Sequence, residues 1–556
     1  MKKTLISLTL FAILGSLAFF TSCGRAPLTD IVPDAIYING VVITVNPDQP
    51  RAQAFAVAGD RFIAVGNNRQ IRRLAGPNTK VVDLQGMTVT PGFNDTHVHI
   101  LTEFPRETPY WVPWLGPEEV RTMDELIAVM RERAAGIPPG GLVSGQRYQD
   151  CWLGGHPTRW DLDKVSTVHP VTVRHSSGHV SVVNSYILER SGITKDTYDP
   201  RGQFDRDECG TPNGIIRAGG MGRLTMPRVP TPSEEVIRAA YIHRFREYAR
   251  KGITSVGVAN PPRFHYFETL RDSGLIVRLA IKPALGIFPD VLDRGMRFGD
   301  GDNHIRVSAV KMFHGNSFSG NTAWVSEPHV GRPYWFGIPP TRSQEDLDSI
   351  IQMIHDAGFQ VAVHSNGDLE IDMTITAIER AQANNPRPDA RHRIEHASVM
   401  TMPLLERARD AGIILIFHSY IYEHGEKLLG YADRMELVHP FRTAIDMGVL
   451  VASHSDAPIA PPIPMTRIHS MVNRKSHLGR LMGGSQRVTV EEAIRVWTLD
   501  GAFTTFEEDI KGSITPGKLA DFVILRQDPR RVPVDRIKDI EVYATYVGGN
   551  NVWQAE

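Results

Sequence analysis

Six side chains stand out because their types and spacing could bind a metal. The stretch PGFNDTHVHI, residues 91–100, holds His97 and His99 one residue apart after a strand-like run. His364 ends FQVAVH, His396 ends HRIEH, and Asp456 follows VLVASHS. Lys311 lies inside the apolar run VSAVKMF, where an unpaired ammonium is costly unless it is modified or paired. Imidazoles and carboxylates are ligands for zinc and similar divalent ions, which activate water for hydrolysis. The His97/His99 pair alone carries little weight, because 21 histidines in 556 residues give roughly 0.8 such pairs by chance. Its weight comes from where it sits and from the other four residues.

The elements that must position these residues follow from the apolar pattern. Residues 30–90 read as short strands, AIYINGVVITV, AFAVAGDRFIAVG and KVVDLQGMTVT, with Asn39-Gly40 and Gly59-Asp60 as hairpin turns. After Pro91, apolar runs such as GITSVGV, FQVAVH and IILIFH alternate with helical stretches, the mark of β/α units around a parallel sheet. One helix is explicit: Ser343 offers an N-cap, Leu347, Ile350, Ile351 and Ile354 form the apolar face, and Gly358 closes it. GKLADFVIL and IEVYATYVGGNNVW return to strands, so residues 500–556 are expected to complete the small β module begun by residues 30–90. The expected fold class is α/β, with residues 91–499 as a (β/α)₈ TIM barrel interrupted by an insertion around 100–230. In such a barrel chemistry lies where strands end, and strand alternation points His97 and His99 to one side.

Composition narrows the partners. The chain is 42% hydrophobic and 22% charged, with 61 basic against 62 acidic residues, which leaves no electrostatic footprint for nucleic acid or an anionic membrane. A small-molecule substrate is expected, and a homo-oligomer stays open. Lys2 and Lys3 precede an apolar stretch from Leu5 to Phe20 that suits a secretory signal. It ends in FFTSCGRAP, which resembles a bacterial lipobox, so residues 1–23 are expected to be a lipoprotein-type signal with Cys23 lipidated. Phe20 departs from the usual leucine, and ordinary cleavage stays open. The expected location is the periplasm or cell envelope. Cys151 and Cys209 could pair there or stand as separate thiols.

PGFNDTHVH, AVKMF, VAVHSNGD, RIEHA, SDAP and EEDIKGSITPGKLADFVIL occur in the order seen in the amidohydrolase superfamily. The chain resembles the branch that includes the N-substituted formamide deformylases, over nearly its whole mature length. The resemblance implies the (β/α)₈ barrel with a composite β-sandwich from both termini. It also implies roles: His97, His99 and Asp456 would hold one ion, His364 and His396 a second, and Lys311, carboxylated by CO₂, would bridge them. Two zinc ions are expected, with iron or manganese also compatible. Metal-bound hydroxide would attack an amide or other C–N bond of an N-formyl, N-acyl or cyclic amide. Asp456 would carry the proton to the leaving amine, and His179, in SSGHVSVVNS, would face the substrate and steady the oxyanion.

Each residue also has an ordinary reading: Lys311 as a snorkelling lysine, Asp456 as a helix cap, His179 as a structural histidine. A lyase, decarboxylase or isomerase on the same metals and a non-catalytic binding lipoprotein are the alternatives. The sequence departs from the family at FHGNS after Lys311, at Leu369 and at Ala218, which makes transfer of the formamide substrate unsafe. Trp111, Trp114, Trp152 and Trp160 suit either an aromatic pocket or a core beneath a long loop.

Overall fold

The computed structural model describes residues 31–556 apart from 101–103, 105–107, 109, 118, 199–201, 230, 262–269 and 272–273. The signal-like segment and Cys23 lie outside the described residues. Among the described residues no helix is long and apolar enough to cross a membrane.

Nine short strands form the centre: β1 (Phe93–Val98), β2 (Ile253–Ala259), β3 (Arg278–Lys282), β4 (Ile305–Val307), β5 (Val310–Phe313), β6 (Val361–Ser365), β7 (Arg393–His396), β8 (Ile414–His418) and β9 (Val451–His454). They make two parallel sheets, β4-β3-β2-β1 and β5-β6-β7-β8-β9. Every residue of β6 to β9 is buried, the pattern of strands covered on both faces. The two sheets are hydrogen-bonded at both of their edges. At one, Lys311 N donates to Pro283 O at 2.7 Å. At the other, Asp456 N donates to His97 O at 3.1 Å and His99 N to Ala457 O at 2.7 Å.

Helices connect the strands as the pattern predicts. The helix Gln344–Asp356 starts where Ser343 accepts from Asp346 N at 3.2 Å, and it buries Leu347, Ile351 and Ile354. Gly358 follows with φ 81°, a left-handed conformation that favours glycine.

The two chain ends share a six-stranded sheet, in which the strand Phe522–Leu525 pairs with Thr88–Pro91. Tyr37 and Phe55, from a neighbouring four-stranded sheet, each meet Phe522 edge-on at 5.0 Å. Gly59-Asp60 turns a hairpin between Ala54–Ala58 and Arg61–Gly66, as read. Asn39-Gly40 does not. It carries the chain from one terminal sheet to the other, because Ala35–Ile38 pairs with Ala54–Ala58 whereas Val41–Ile43 pairs with Arg51–Ala52. Gly40 suits that corner, since a Cβ there would meet Leu84 Cδ1 at 2.4 Å.

Residues 100–230 contain a sheet of their own, ordered Gly202–Arg206, Pro212–Ala218, Val180–Val183, Val171–His175, Val143–Tyr148. Leu126, Met130, Val143, Val173 and Val182 form its core. Trp152 stacks on His477 at 3.8 Å, and Arg147 lies 3.7 Å above the ring of Trp114. Cys151 and Cys209 are both free thiols, the second of them exposed, so the pairing left open by the sequence is absent.

Two buried carboxylates hold the centre to its surroundings. Asp521 takes Arg278 Nε at 2.7 Å and Nη2 at 2.8 Å, each side chain 3% exposed, and ties β3 to the C-terminal sheet. Glu370 Oε1 accepts from Asn316 N and Trp324 N, and Oε2 from Asn366 N and Gly367 N, at 2.8 to 3.0 Å. It thereby fixes the loops that follow β5 and β6. Replacing Asp521 by Asn, which leaves Arg278 buried without its counter-charge, is expected to cost about 3–5 kcal/mol, read as a lower urea midpoint. A shift below about 1 kcal/mol would show that the pair is not structural. Glu370→Gln leaves two backbone N–H groups facing an amide N–H₂ and is expected to cost about 2–6 kcal/mol by the same measurement.

Candidate metal centre

The C-terminal ends of the central strands bring the expected residues to one place, with additions the sequence reading did not make. His97 lies in β1 and is fully buried; its Nδ1 bonds to Glu395 Oε2. That bond commits Nδ1 to the carboxylate and leaves the Nε2 lone pair for a metal. His97 Nε2 and His99 Nε2 each stand 3.5 Å from Asp456 Oδ1. The other carboxylate oxygen faces elsewhere: Asp456 Oδ2 lies 3.7 Å from His418 Nε2 and 3.9 Å from His396 Nδ1.

Backbone conformation makes this convergence possible. Asp456, directly beyond β9, has φ 56°, and His396 and Ala397 at the end of β7 have φ 78° and 40°. Such left-handed conformations cost a non-glycine residue about 1–3 kcal/mol and persist where the surroundings over-determine them. Here Ala397 N donates to Ser365 O at 3.0 Å and Ser455 N to Asp95 Oδ1 at 3.0 Å.

Glu395, His418 and His454 were missed by the sequence reading. Glu395 is fully buried between Arg393, Lys282 at 3.5 Å and His97. Burial would raise its carboxyl, but Arg393 and Lys282 hold it down at about 2, so it stays charged. His418 and His454 end β8 and β9 as register partners. The same signal that identified His364, a histidine closing an apolar run, was present in IILIFH and VLVASH.

Electrostatics favour the neutral, metal-binding form of the rings. Burial keeps His97, His364, His396, His418 and His454 well below the ordinary imidazole value and His99 at about 3. The Asp456 carboxyl is pushed up by the same burial, against the pull of Lys311. The residues fit an ion on independent grounds too. His97 Nε2, His396 Nδ1, His418 Nδ1, both nitrogens of His454 and Asp456 Oδ1 are buried without a hydrogen-bond partner. An orphaned buried polar group costs about 1–3 kcal/mol, and a bound ion removes that cost. Among the described residues, two groups of histidines and carboxylates have ligand atoms within 4.8 Å of one another: His97, His99 and Asp456; and His396, His418, His454 and Asp456.

His364 belongs to neither group, and Lys311 is near enough to act electrostatically on His97 and Asp456. His364 Nε2 bonds to Asn316 O at 2.8 Å, although its ring lies only 4.5 Å from that of His396. Lys311 is 1% exposed, its Nζ has no hydrogen-bond partner, and burial lowers it to about 8. His179 stacks on His364 with ring centroids 5.5 Å apart, and burial with Arg174 lowers it to about 4. His314, of FHGNS, is buried with neither ring nitrogen bonded.

A cavity of about 280 Å³ opens onto this centre, bordered by His99, His179, Phe313, His364, His396 and Asp456 on the metal side and by Arg147 and Arg174 from the inserted sheet. None of the four tryptophans singled out in the sequence lines it.

The Amidohydrolase family matches residues 80–553. The N-substituted formamide deformylase of Arthrobacter pascens is 27% identical over 549 residues, 93% of this chain and 97% of that protein. The putative amidohydrolase YtcJ of Bacillus subtilis is 26% identical over 542 residues, 94% and 99% of the two chains. An uncharacterized metal-dependent hydrolase from Pyrococcus horikoshii OT3 superposes with a TM-score of 0.67 at 23% identity, over 90% of this chain and 99% of that one, a likeness of fold. With 474 consecutive residues matched and the buried His/Asp cluster inside them, the chain belongs to the amidohydrolase family.

Proposed function

We propose that the protein is a metal-dependent hydrolase of an amide or other non-peptide C–N bond in a small molecule. The observation that carries this reading is the meeting of buried His97 Nε2 and Asp456 Oδ1 with half-buried His99 Nε2. The architecture we infer is a (β/α)₈ barrel over residues 91–499, in which β4 and β5 act as one interrupted strand and β1 closes against β9. Residues 30–90 and 500–556 form its β-sandwich. Three ligands plus an open position are the arrangement of a catalytic rather than a structural zinc site.

A divalent ion held by His97, His99 and Asp456, for which zinc is our choice, would supply a Lewis acid able to polarise a carbonyl and acidify a water. Asp456, beside that water, would take its proton and return it to the departing nitrogen. His179 borders the cavity as a neutral imidazole and donates its N–H toward the developing oxyanion. Glu395 holds His97 in the tautomer that binds the ion. A cavity of about 280 Å³ admits a small molecule and not a folded protein. The leader-like N-terminus supports an exported, lipid-anchored enzyme.

Two measurements test this. The zinc-loaded protein is expected to hydrolyse at least one member of an N-formyl, N-acyl and cyclic amide panel. Chelation or His97→Ala should lower turnover about 10³-fold or more. Turnover that survives chelation would overturn the reading. Competition with a chromophoric chelator should show Glu395→Gln binding zinc about 10–100-fold more weakly than the wild type. Equal affinity would remove Glu395 from any orienting role.

A further inference from the structure

The cavity that opens onto the metal centre is unbalanced in charge. Among the described residues Asp456 is the one carboxylate on its border, and both its oxygens face imidazoles. Two arginines, Arg147 and Arg174, border it from the inserted sheet. Arg147 is fixed in the wall: it donates to Pro458 O, and its guanidinium lies 3.7 Å above the ring of Trp114. Arg174 is placed differently. In the strand Val171–His175 its neighbours Val173 and His175 are buried while Arg174 is exposed. Its Nε and Nη2 both donate to Gly178 O, at 3.2 and 2.8 Å, and no carboxylate pairs with it among the described residues. Arg217 of the same sheet, by contrast, meets Asp205 at 2.7 Å.

The anchor of Arg174 lies close to the chemistry. Gly178, with φ 71°, closes a turn in which its N–H donates to His175 O at 2.9 Å, and the chain runs from there directly into His179. The Arg174 charge acts on both His99 and His179, so this cation stands near the metal end of the cavity. Ser176, on the same border, is 3% exposed, and its Oγ is buried without a hydrogen-bond partner. An arginine without a counter-charge and an orphaned hydroxyl each lack an acceptor that a bound anion would supply. The planar fork of a guanidinium matches a carboxylate, and a cleft lined by positive charge concentrates anions.

We propose that the substrate is an amide carrying a carboxylate a few bonds from the scissile C–N bond, of the N-acylated amino acid class, with Arg174 binding that carboxylate and Ser176 Oγ donating to it. The proposal rests on the amide-hydrolase reading above. With the scissile carbonyl toward His97, His99 and Asp456, the carboxylate points to the inserted sheet, and Phe313 and Ile459 leave an apolar border for the amino-acid side chain.

The test compares matched pairs on the zinc-loaded full-length protein. N-formyl and N-acetyl amino acids, as both enantiomers, are set against the same amides with hydrogen in place of the carboxylate, such as N-formylphenylalanine and N-formylphenethylamine. The expected kcat/KM is about 10–100-fold higher for the carboxylate member, mostly through KM, and the advantage shrinks as salt rises. Arg174→Met should collapse the ratio within each pair toward parity, whereas Arg174→Lys, which keeps the charge and loses the fork, should retain part of it. Circular dichroism and zinc content matching the wild type exclude misfolding as the cause. Equal or faster turnover of the neutral members, or a ratio unchanged in Arg174→Met, would overturn the proposal and leave the hydrolase reading intact. Calorimetric titration with N-formylphenylalanine separates the two claims. Binding that Arg174→Met abolishes, with no hydrolysis of any pair, would uphold Arg174 as an anion site and overturn the hydrolase reading. Neither binding nor hydrolysis would overturn both.

Discussion

Glu395 accepts from Arg393 and bonds to His97, with Lys282 3.5 Å away, and the four side chains are at most 1% exposed. Removing charges from water costs several kcal/mol per ion, so none of these groups could be buried without the others. The pairing also has a direction. Lys282 Nζ and Arg393 Nη2 both donate to Thr96 O, at 2.8 and 3.0 Å, and so pull β3 and β7 onto β1 at the residue before His97. Gly257 in β2 leaves room for that carbonyl, since a Cβ there would stand 2.1 Å from Thr96 O. The ring of His97 is therefore fixed in position by the backbone and in tautomer by Glu395, before any ion is considered.

Asp456 then organises the opposite side of the centre. It lies just past β9 on a left-handed backbone, with its amide on His97 O, so its carboxylate enters the space between β1 and β7. Both oxygens face imidazoles. In the proposed mechanism the same side chain would bind the ion and move the proton. Substrate contacts are divided differently. The metal side of the cavity is built by the central strands, whereas Arg147, Arg174 and His179 arrive from the inserted sheet. The proposed metal ligands thus come from the central strands, and the inserted sheet adds polar groups that face them, as expected where function is grafted onto a common fold.

Much of this was legible in the sequence, and the failures have physical causes. The helix after Ser343 and the strand ends at His97 and His396 follow from local patterns that their surroundings reinforce. Asn39-Gly40 was misread because the dipeptide specifies only a turn, while the partner strands are chosen by distant contacts. Glu395 was invisible because alternation assigns it the face opposite to His396, and the left-handed backbone at His396 breaks that rule. His418 and His454 carried the same signal as His364, yet a family pattern that already supplied a ligand for each position left no reason to count them. The free state of Cys151 and Cys209 depends on three-dimensional placement that spacing does not encode.

The join between β1 and β9 has one more consequence. Ser455 bonds to Asp95 across 360 residues of chain, and Asp456 meets His97 at the same seam. A nascent chain can fold its early strands while β9 is still being made, but until β9 arrives it has no Asp456, His454 or seam. Contacts of such sequence separation pay their loop-closure entropy late. The centre is therefore absent from every chain that stops before β9. Metal uptake would then report that β1 and β9 have met.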